Sequence, residues 1–109
     1  HDYRDAANGD VVIRETGTEL RIDRETDRVY HNIKRPQLLQ AANLSLAIHS
    51  QGYPDVVIWN PWVDQCAKLK DMAPDGWRHM LCVEAAAARK PVSVPVGEEW
   101  YGRQTLVVV

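Results

Sequence analysis

The sequence predicts an all-β domain, and three observations lead to that prediction. Short apolar runs of alternating polarity recur along the chain, turn-forming residues such as Asn8-Gly9-Asp10 separate them, and only one segment suits a helix. The 109 residues are enough for one compact domain, residues 1–109, and not for two. Seven or eight short strands at this spacing predict a β-sandwich.

Strands are predicted in the first half of the chain wherever apolar and polar residues alternate. Gly17 lies between the first two runs and predicts a hairpin there. The cleanest alternation places Leu44, Leu46 and Ile48 on one face of a strand. The predicted strands are residues 11–13, 18–23, 28–30, 42–50 and 55–59.

The second half predicts one short helix and three more strands. Pro61 and Pro74 bracket the helix, which is expected over residues 63–72. A strand follows at residues 80–86. Residues 92–96 and 104–109 are expected to pair with each other as the final antiparallel hairpin.

Composition argues against several classes of function. Thirteen basic and fifteen acidic residues give a net charge of −2, whereas nucleic-acid binding usually needs a positive excess. No long apolar run predicts a membrane role, and nothing near residue 1 resembles a signal peptide. Cys66 and Cys82 are expected to be reduced thiols of a cytoplasmic protein. The histidines have no metal-ligand spacing, so no metal site is expected; they are His1, His31, His49 and His79.

Glu84 is the main candidate for chemistry, because it is a charged residue in an apolar run, Met80-Leu81-Cys82-Val83-Glu84. A carboxylate in a strand is costly unless it is solvated, paired or used. One interpretation is an ordinary charge, solvated or paired with Arg78 or Arg103. The other is a general base held rigidly on a strand and facing a sugar-sized cleft.

Tryptophan is the second chemical signal, in a chain that contains no phenylalanine. Each indole can pack in the core or stack on a sugar ring. Trp59 and Trp62 flank Asn60, and together they could form an apolar wall with a polar rim that binds a carbohydrate. The other two tryptophans are Trp77 and Trp100.

Several stretches together resemble the carboxy-terminal part of the hexose-6-phosphate mutarotases, the glucose-6-phosphate 1-epimerase branch of the aldose 1-epimerase superfamily. The tryptophan–asparagine–proline and cysteine–valine–glutamate signatures are specific in combination. The matching stretches are residues 25–30 (ETDRVY), 55–62 (DVVIWNPW), 71–72 (DM), 77 (W), 80–84 (MLCVE), 91–94 (PVSV) and 97–104 (GEEWYGRQ).

This resemblance implies a galactose-mutarotase-like β-sandwich and a reaction without a cofactor. A glutamate takes the proton of the anomeric hydroxyl of a hexose 6-phosphate while a histidine protonates the ring oxygen. By resemblance, Glu84 stands at the position of the catalytic base. Tyr3-Arg4-Asp5 is similar to a segment whose acid contacts the sugar, so Asp5 is a further substrate-binding candidate beside Trp59 and Asn60.

The chain departs from the family in one respect. The family's acid histidine and its phosphate-binding arginines precede the matching region, and none of the four histidines corresponds. The resemblance therefore implies the last third to two fifths of a mutarotase, inactive alone and associating with the missing amino-terminal part or with itself. Two alternatives stay open: a non-catalytic carbohydrate-binding or regulatory module, and a structural fragment without activity.

Overall fold

The computed structural model describes residues 1–109 and contains two antiparallel sheets with one short α-helix, which confirms the predicted all-β class. Two 3₁₀ turns, Ala6–Asn8 and Gly76–His79, complete the secondary structure. The remaining elements are β1 (Asp2–Asp5), β2 (Val11–Arg14), β3 (Thr26–Tyr30), β4 (Gln37–Ala41), β5 (Leu44–Gln51), β6 (Asp55–Asn60), α1 (Trp62–Lys68), β7 (Cys82–Ala86) and β8 (Arg103–Val108).

The larger sheet has the strand order β2-β1-β3-β6-β7. Gly9 and Asp10 both have positive φ angles, 75° and 62°, and turn the chain from β1 back into β2. Residues opposite each other in an antiparallel pair share a face, so one row runs from Val29 through Val57 to Glu84. The sheet therefore carries Glu84 on an edge strand, β7.

The smaller sheet has the order β4-β5-β8, with β5 in the centre. Ala42 and Asn43 form the tight turn between β4 and β5. The Gln104 side-chain amide donates a 2.9 Å hydrogen bond to the Val83 carbonyl, which links β8 to β7. The two sheets thus meet near the strand that carries Glu84.

The buried core is small. Its apolar members include Val29, Ile48, Val56 and Ile58, and only 12 of the 109 residues are buried in all. The accessible surface is 8177 Å², whereas a compact protein of this mass exposes about 6,100 Å². Much apolar strand surface is therefore uncovered, including Leu106 and Val108 of β8, which are 58% and 72% exposed.

Two predicted strand pairings are wrong. Residues 18–23 form no strand, and β2 pairs with β1 instead of forming a hairpin around Gly17. Leu20 and Ile22 are nevertheless less exposed than their neighbours, so the alternation reflects burial without sheet hydrogen bonds. Alternation with a period of two residues shows which side chains turn inward. It does not show whether the segment pairs with a strand, because pairing depends on residues elsewhere in the chain.

Residues 92–96 also form no strand, and β8 pairs with β5. Pro91 and Pro95 lack the N–H group that a ladder needs, and the intervening valines remain exposed. The sequence analysis missed β1, whose residues are mostly charged, and β4. The helix is confirmed but ends at Lys68, because Leu69 adopts an extended conformation.

The Asp55 side chain, at the start of β6, binds the segment that follows β7. Its carboxylate is 2% exposed and accepts 2.9 Å hydrogen bonds from the Ala88 and Arg89 backbone N–H groups. His31 lies beside the same carboxylate, with Nδ1 3.6 Å from its other oxygen. A buried carboxylate with several donors around it satisfies its hydrogen-bonding capacity without water.

Replacing Asp55 with alanine is expected to lower the free energy of unfolding by about 2 kcal/mol, because charge-assisted hydrogen bonds to two backbone groups are lost. Urea denaturation followed by circular dichroism measures the change. Asp71→Ala is the matched control, since Asp71 is exposed, and should stay within about 0.5 kcal/mol of the wild type. Equal midpoints for the two variants would contradict the role assigned to Asp55.

Candidate functional site

Glu84 lies in the middle of β7 with its side chain exposed to solvent. The strand is held by pairing with β6, where Glu84 is opposite Val57 and Cys82 is opposite Trp59. Cys82, Glu84 and Trp59 therefore share one face of the larger sheet. The Glu84 carboxylate stays in contact with solvent because β7 is an edge strand. Glu84 therefore does not bear the desolvation cost expected for an acid buried in a strand.

The interpretation of Glu84 as the ion-pair partner of Arg78 or Arg103 is wrong. The four ion pairs of the structure do not involve Glu84. The guanidinium of Arg78 instead lies 4.8 Å from the centre of the Trp77 ring. The other form of that interpretation, a solvated charge, agrees with the exposed Glu84 side chain.

The pKa of the Cys82 thiol responds to the charge of Glu84. Burial raises the pKa of the Cys82 thiol above its usual value, and the negative charge of Glu84 raises this pKa further. Cys82 and Cys66 are both free thiols, and Cys66 is completely buried. Cys82 is thus a built-in probe of the Glu84 carboxylate.

Asn60 is occupied by the backbone around it. The side chain is 3% exposed, and its amide group donates 2.9 Å hydrogen bonds to the carbonyls of Trp77 and Met80. Its oxygen accepts a 2.8 Å bond from the Trp62 N–H. Both amide hydrogens are used, so in this structure Asn60 has no donor left for the predicted substrate contact. It instead joins the end of β6 to the turn that leads into β7.

The tryptophans occupy three places and do not form a single wall. Trp62 and Trp77 pack with ring centres 4.3 Å apart and planes tilted by 47°. Trp62 has a φ of 59°, a left-handed conformation that costs a bulky residue about 1–3 kcal/mol. The Asn60 bond to its N–H helps to hold it. Trp100 packs edge-on against Tyr53, and Trp59 alone is placed on the face of Glu84.

Asp5, the weaker substrate-binding candidate, is on the other face. The row of opposite residues that contains Glu84 includes Arg4, so the neighbouring Asp5 points to the opposite side of the sheet. Asp5 is 4% exposed and accepts a 2.8 Å hydrogen bond from the Asn8 amide. The structure therefore brings Trp59 to the same face as Glu84 and separates Asp5 and Asn60 from it.

Two polar groups that the structure singles out had no predicted role. One is the buried pair of His31 and Asp55, described above. The other is a set of cationic side chains around one cavity, to which Lys34, Arg35 and Arg103 belong. The adjacent Lys34-Arg35 was the only sequence signal for this set. No group of three His, Cys, Asp or Glu side chains is placed to hold a metal ion, and no helix is long and apolar enough to cross a membrane.

Comparison with known proteins gives the family. The profile of the aldose 1-epimerase family matches residues 5–106. The chain is 32% identical, over 99% of its own length and 33% of the relative's, to a protein of Cenchrus ciliaris that carries the provisional name glucose-6-phosphate 1-epimerase. A protein of Escherichia coli (strain K12) with the same provisional name is 35% identical over 63% of the chain and 24% of its own length. No solved structure matches.

The two antiparallel sheets with one short helix fit a β-sandwich of the aldose-epimerase type, which is the class of this protein. The chain belongs to the aldose 1-epimerase family, whose profile covers nearly all of it. It spans about a third or less of the length of the relatives it matches.

Glu84→Gln is expected to speed alkylation of Cys82, because the substitution removes the negative charge that raises the thiol pKa. Only the thiolate reacts, so the gain should appear below the pKa of Cys82 and vanish at higher pH, where both proteins are ionised. Iodoacetamide labelling across a pH series, with Cys82 quantified by mass spectrometry, measures it. Glu98→Gln is the control; a rate unchanged by Glu84→Gln would contradict the proximity.

Proposed function

We propose that this chain supplies the general base, Glu84, of an enzyme that interconverts the α and β anomers of a hexose 6-phosphate. The observation that carries the proposal is the geometry of Glu84, an unpaired and exposed carboxylate on a strand held by regular pairing with β6. A base must be rigidly placed and accessible to the proton that it removes. The family and the provisional names of the relatives support the substrate class.

In the proposed reaction, Glu84 accepts the proton of the anomeric hydroxyl while an acid protonates the ring oxygen. The C1–O5 bond breaks, the open aldehyde rotates, and closure on its other face returns both protons and gives the other anomer. Atoms and charges balance without an oxidant or a reductant. Trp59, on the face of Glu84, offers an apolar surface to the sugar ring.

The acid of this proposal lies outside the chain. The resemblance places a histidine in that role upstream of the matching region, and the relatives extend over about three times the matched length. The proposed activity therefore belongs to the longer protein, for which we propose a cytoplasmic location. The two free thiols agree with a reducing compartment.

The runner-up function is a non-catalytic carbohydrate-binding module. The observation in its favour is that Trp59 and Glu84 share an open face while the family's acid histidine has no counterpart here. Calorimetry with a hexose 6-phosphate separates the two functions when it is combined with an anomer-exchange assay. Binding without exchange in the longer protein favours the module.

Glu84→Gln in the full-length protein is expected to lower kcat for anomer exchange of glucose 6-phosphate by a factor of about 100 or more, because proton abstraction loses its base. Polarimetry or exchange NMR on freshly dissolved sugar measures the rate. Glu98→Gln replaces another exposed acid of the same chain and should leave kcat unchanged. A Glu84→Gln enzyme with wild-type kcat would remove Glu84 from the mechanism.

We also propose that the isolated chain associates, with itself or with the remainder of its parent, through β8. This strand is paired on one side only and is exposed along its whole length. Unpaired apolar edges favour pairing with another chain. The excess of surface over that of a compact protein agrees with an interface that is open here.

Light scattering of the 109-residue chain is expected to give a mass above 12.4 kDa at micromolar concentrations. Val108→Lys places a charge on the exposed edge strand and should shift the chain toward the monomer. Val96→Lys is the matched control, because Val96 is fully exposed in a loop and should not change the mass. A folded wild-type monomer would rule out association.

A further inference from the structure

An open cavity lies beside the smaller sheet and has a volume of about 480 Å³. That is the size of a small-molecule site. Val56 of β6 contributes to its wall, while the next residue, Val57, is opposite Glu84. Successive residues of a strand point to opposite faces, so the cavity and the Glu84 carboxylate lie on different sides of the larger sheet.

The side chains around this cavity carry a net positive charge, in contrast to the chain as a whole. Lys34, Arg35 and Arg103 all line it, together with His49, and no aspartate or glutamate does. The chain as a whole has more acidic than basic residues. None of these three cationic side chains takes part in an ion pair elsewhere. Uncompensated positive charge around a concave surface attracts anions.

The strand register explains how the polar lining is assembled. β5 and β8 pair with His49 opposite Thr105 and Gln51 opposite Arg103, so these four side chains share one face of the smaller sheet. Lys34 and Arg35 are contributed by the connection between β3 and β4. Two structural units that are far apart in sequence thus place cations around the same space.

Two other lining residues have unused hydrogen-bonding groups. The Ser50 hydroxyl oxygen and the Gln37 side-chain oxygen are buried and have no hydrogen-bond partner. A buried polar atom without a partner costs free energy, and such atoms are rare in native proteins unless water, an ion or a ligand satisfies them. The Ser50 hydroxyl can donate to an anion held by the cations, whereas the Gln37 carbonyl oxygen can only accept and suits a hydroxyl of the same ligand or a water.

We propose that this cavity binds a small phosphate monoester, at a site separate from the face of Glu84. Arginine recognises phosphate oxygens through its planar fork of donors, and lysine adds a mobile point charge. Hydroxyl and amide groups from Thr105 and Gln51 suit the polar remainder of such a ligand. By resemblance, the arginines that bind the substrate's phosphate lie in the part of the family's sequence that precedes the matching region. The cavity would therefore be a second phosphate site.

Calorimetric titration of the 109-residue chain with glucose 6-phosphate, inorganic phosphate and uncharged glucose tests the proposal. We expect both phosphate compounds to bind and glucose not to bind. Tighter binding of glucose 6-phosphate than of inorganic phosphate would support a phosphate monoester as the ligand, and equal affinities would contradict it and leave a site for the free anion. Affinity should fall as salt rises, because the attraction is largely electrostatic.

Substitutions of cavity residues and of control residues test whether phosphate binds in the cavity. Arg103→Gln and Lys34→Gln should each weaken binding about tenfold. Arg89→Gln and Lys90→Gln are matched controls, because they remove exposed cations that do not line the cavity, and should change affinity less than twofold. All four positions are exposed, so circular dichroism should show wild-type folding in each. Absence of phosphate binding, or equal losses in the cavity and control variants, would overturn the proposal.

Glu84→Gln separates this proposal from the proposed function. It should leave phosphate binding by the chain unchanged, because Glu84 is on the other face of the sheet. Loss of binding in Glu84→Gln would contradict a separate cavity site. Wild-type anomer exchange in Glu84→Gln, with weakened binding in Arg103→Gln, would instead overturn only the mutarotase proposal.

Discussion

The structure depends on β6, which pairs with β3 on one side and β7 on the other and is locked at both ends by a buried polar side chain. At its start, Asp55 accepts hydrogen bonds from the chain that follows β7. At its end, Asn60 donates to the chain that precedes β7. The segments before and after the strand that carries Glu84 are therefore both hydrogen-bonded to β6, which restricts the movement of this edge strand and suits the proposed role of Glu84 as a base.

This arrangement gives the larger sheet two faces, each of which carries one of the proposed sites. One face is partly open and carries Glu84, Trp59 and Cys82. The other carries Val56, Ile58 and the buried Asp5, and leads to the cavity lined by cations. Because alternation along a strand separates neighbouring side chains by the thickness of the sheet, two different ligands can approach the same strand without competing.

The small core agrees with the proposal that the chain associates with the rest of its parent or with another copy of itself. Twelve buried residues and an exposed surface well above that of a compact protein leave β8 with an apolar edge. The chain also covers only about a third or less of the length of the relatives it matches, which agrees with an uncovered surface. The same incompleteness appears in the proposed chemistry, where Glu84 is the proposed base and the proposed acid lies outside the chain.

The sequence by itself determined the class of fold, six strands in their approximate places and the short helix, and it singled out Glu84 as the candidate base, because alternation and specific motifs are local signals. Only the tertiary structure decided that β8 pairs with β5, that Asn60 holds backbone carbonyls, and that Asp5 lies across the sheet from Glu84. Strand pairing and the direction of a side chain depend on partners distant in sequence. The cation-lined cavity shows this most clearly, since Lys34 and Arg103 meet only through folding.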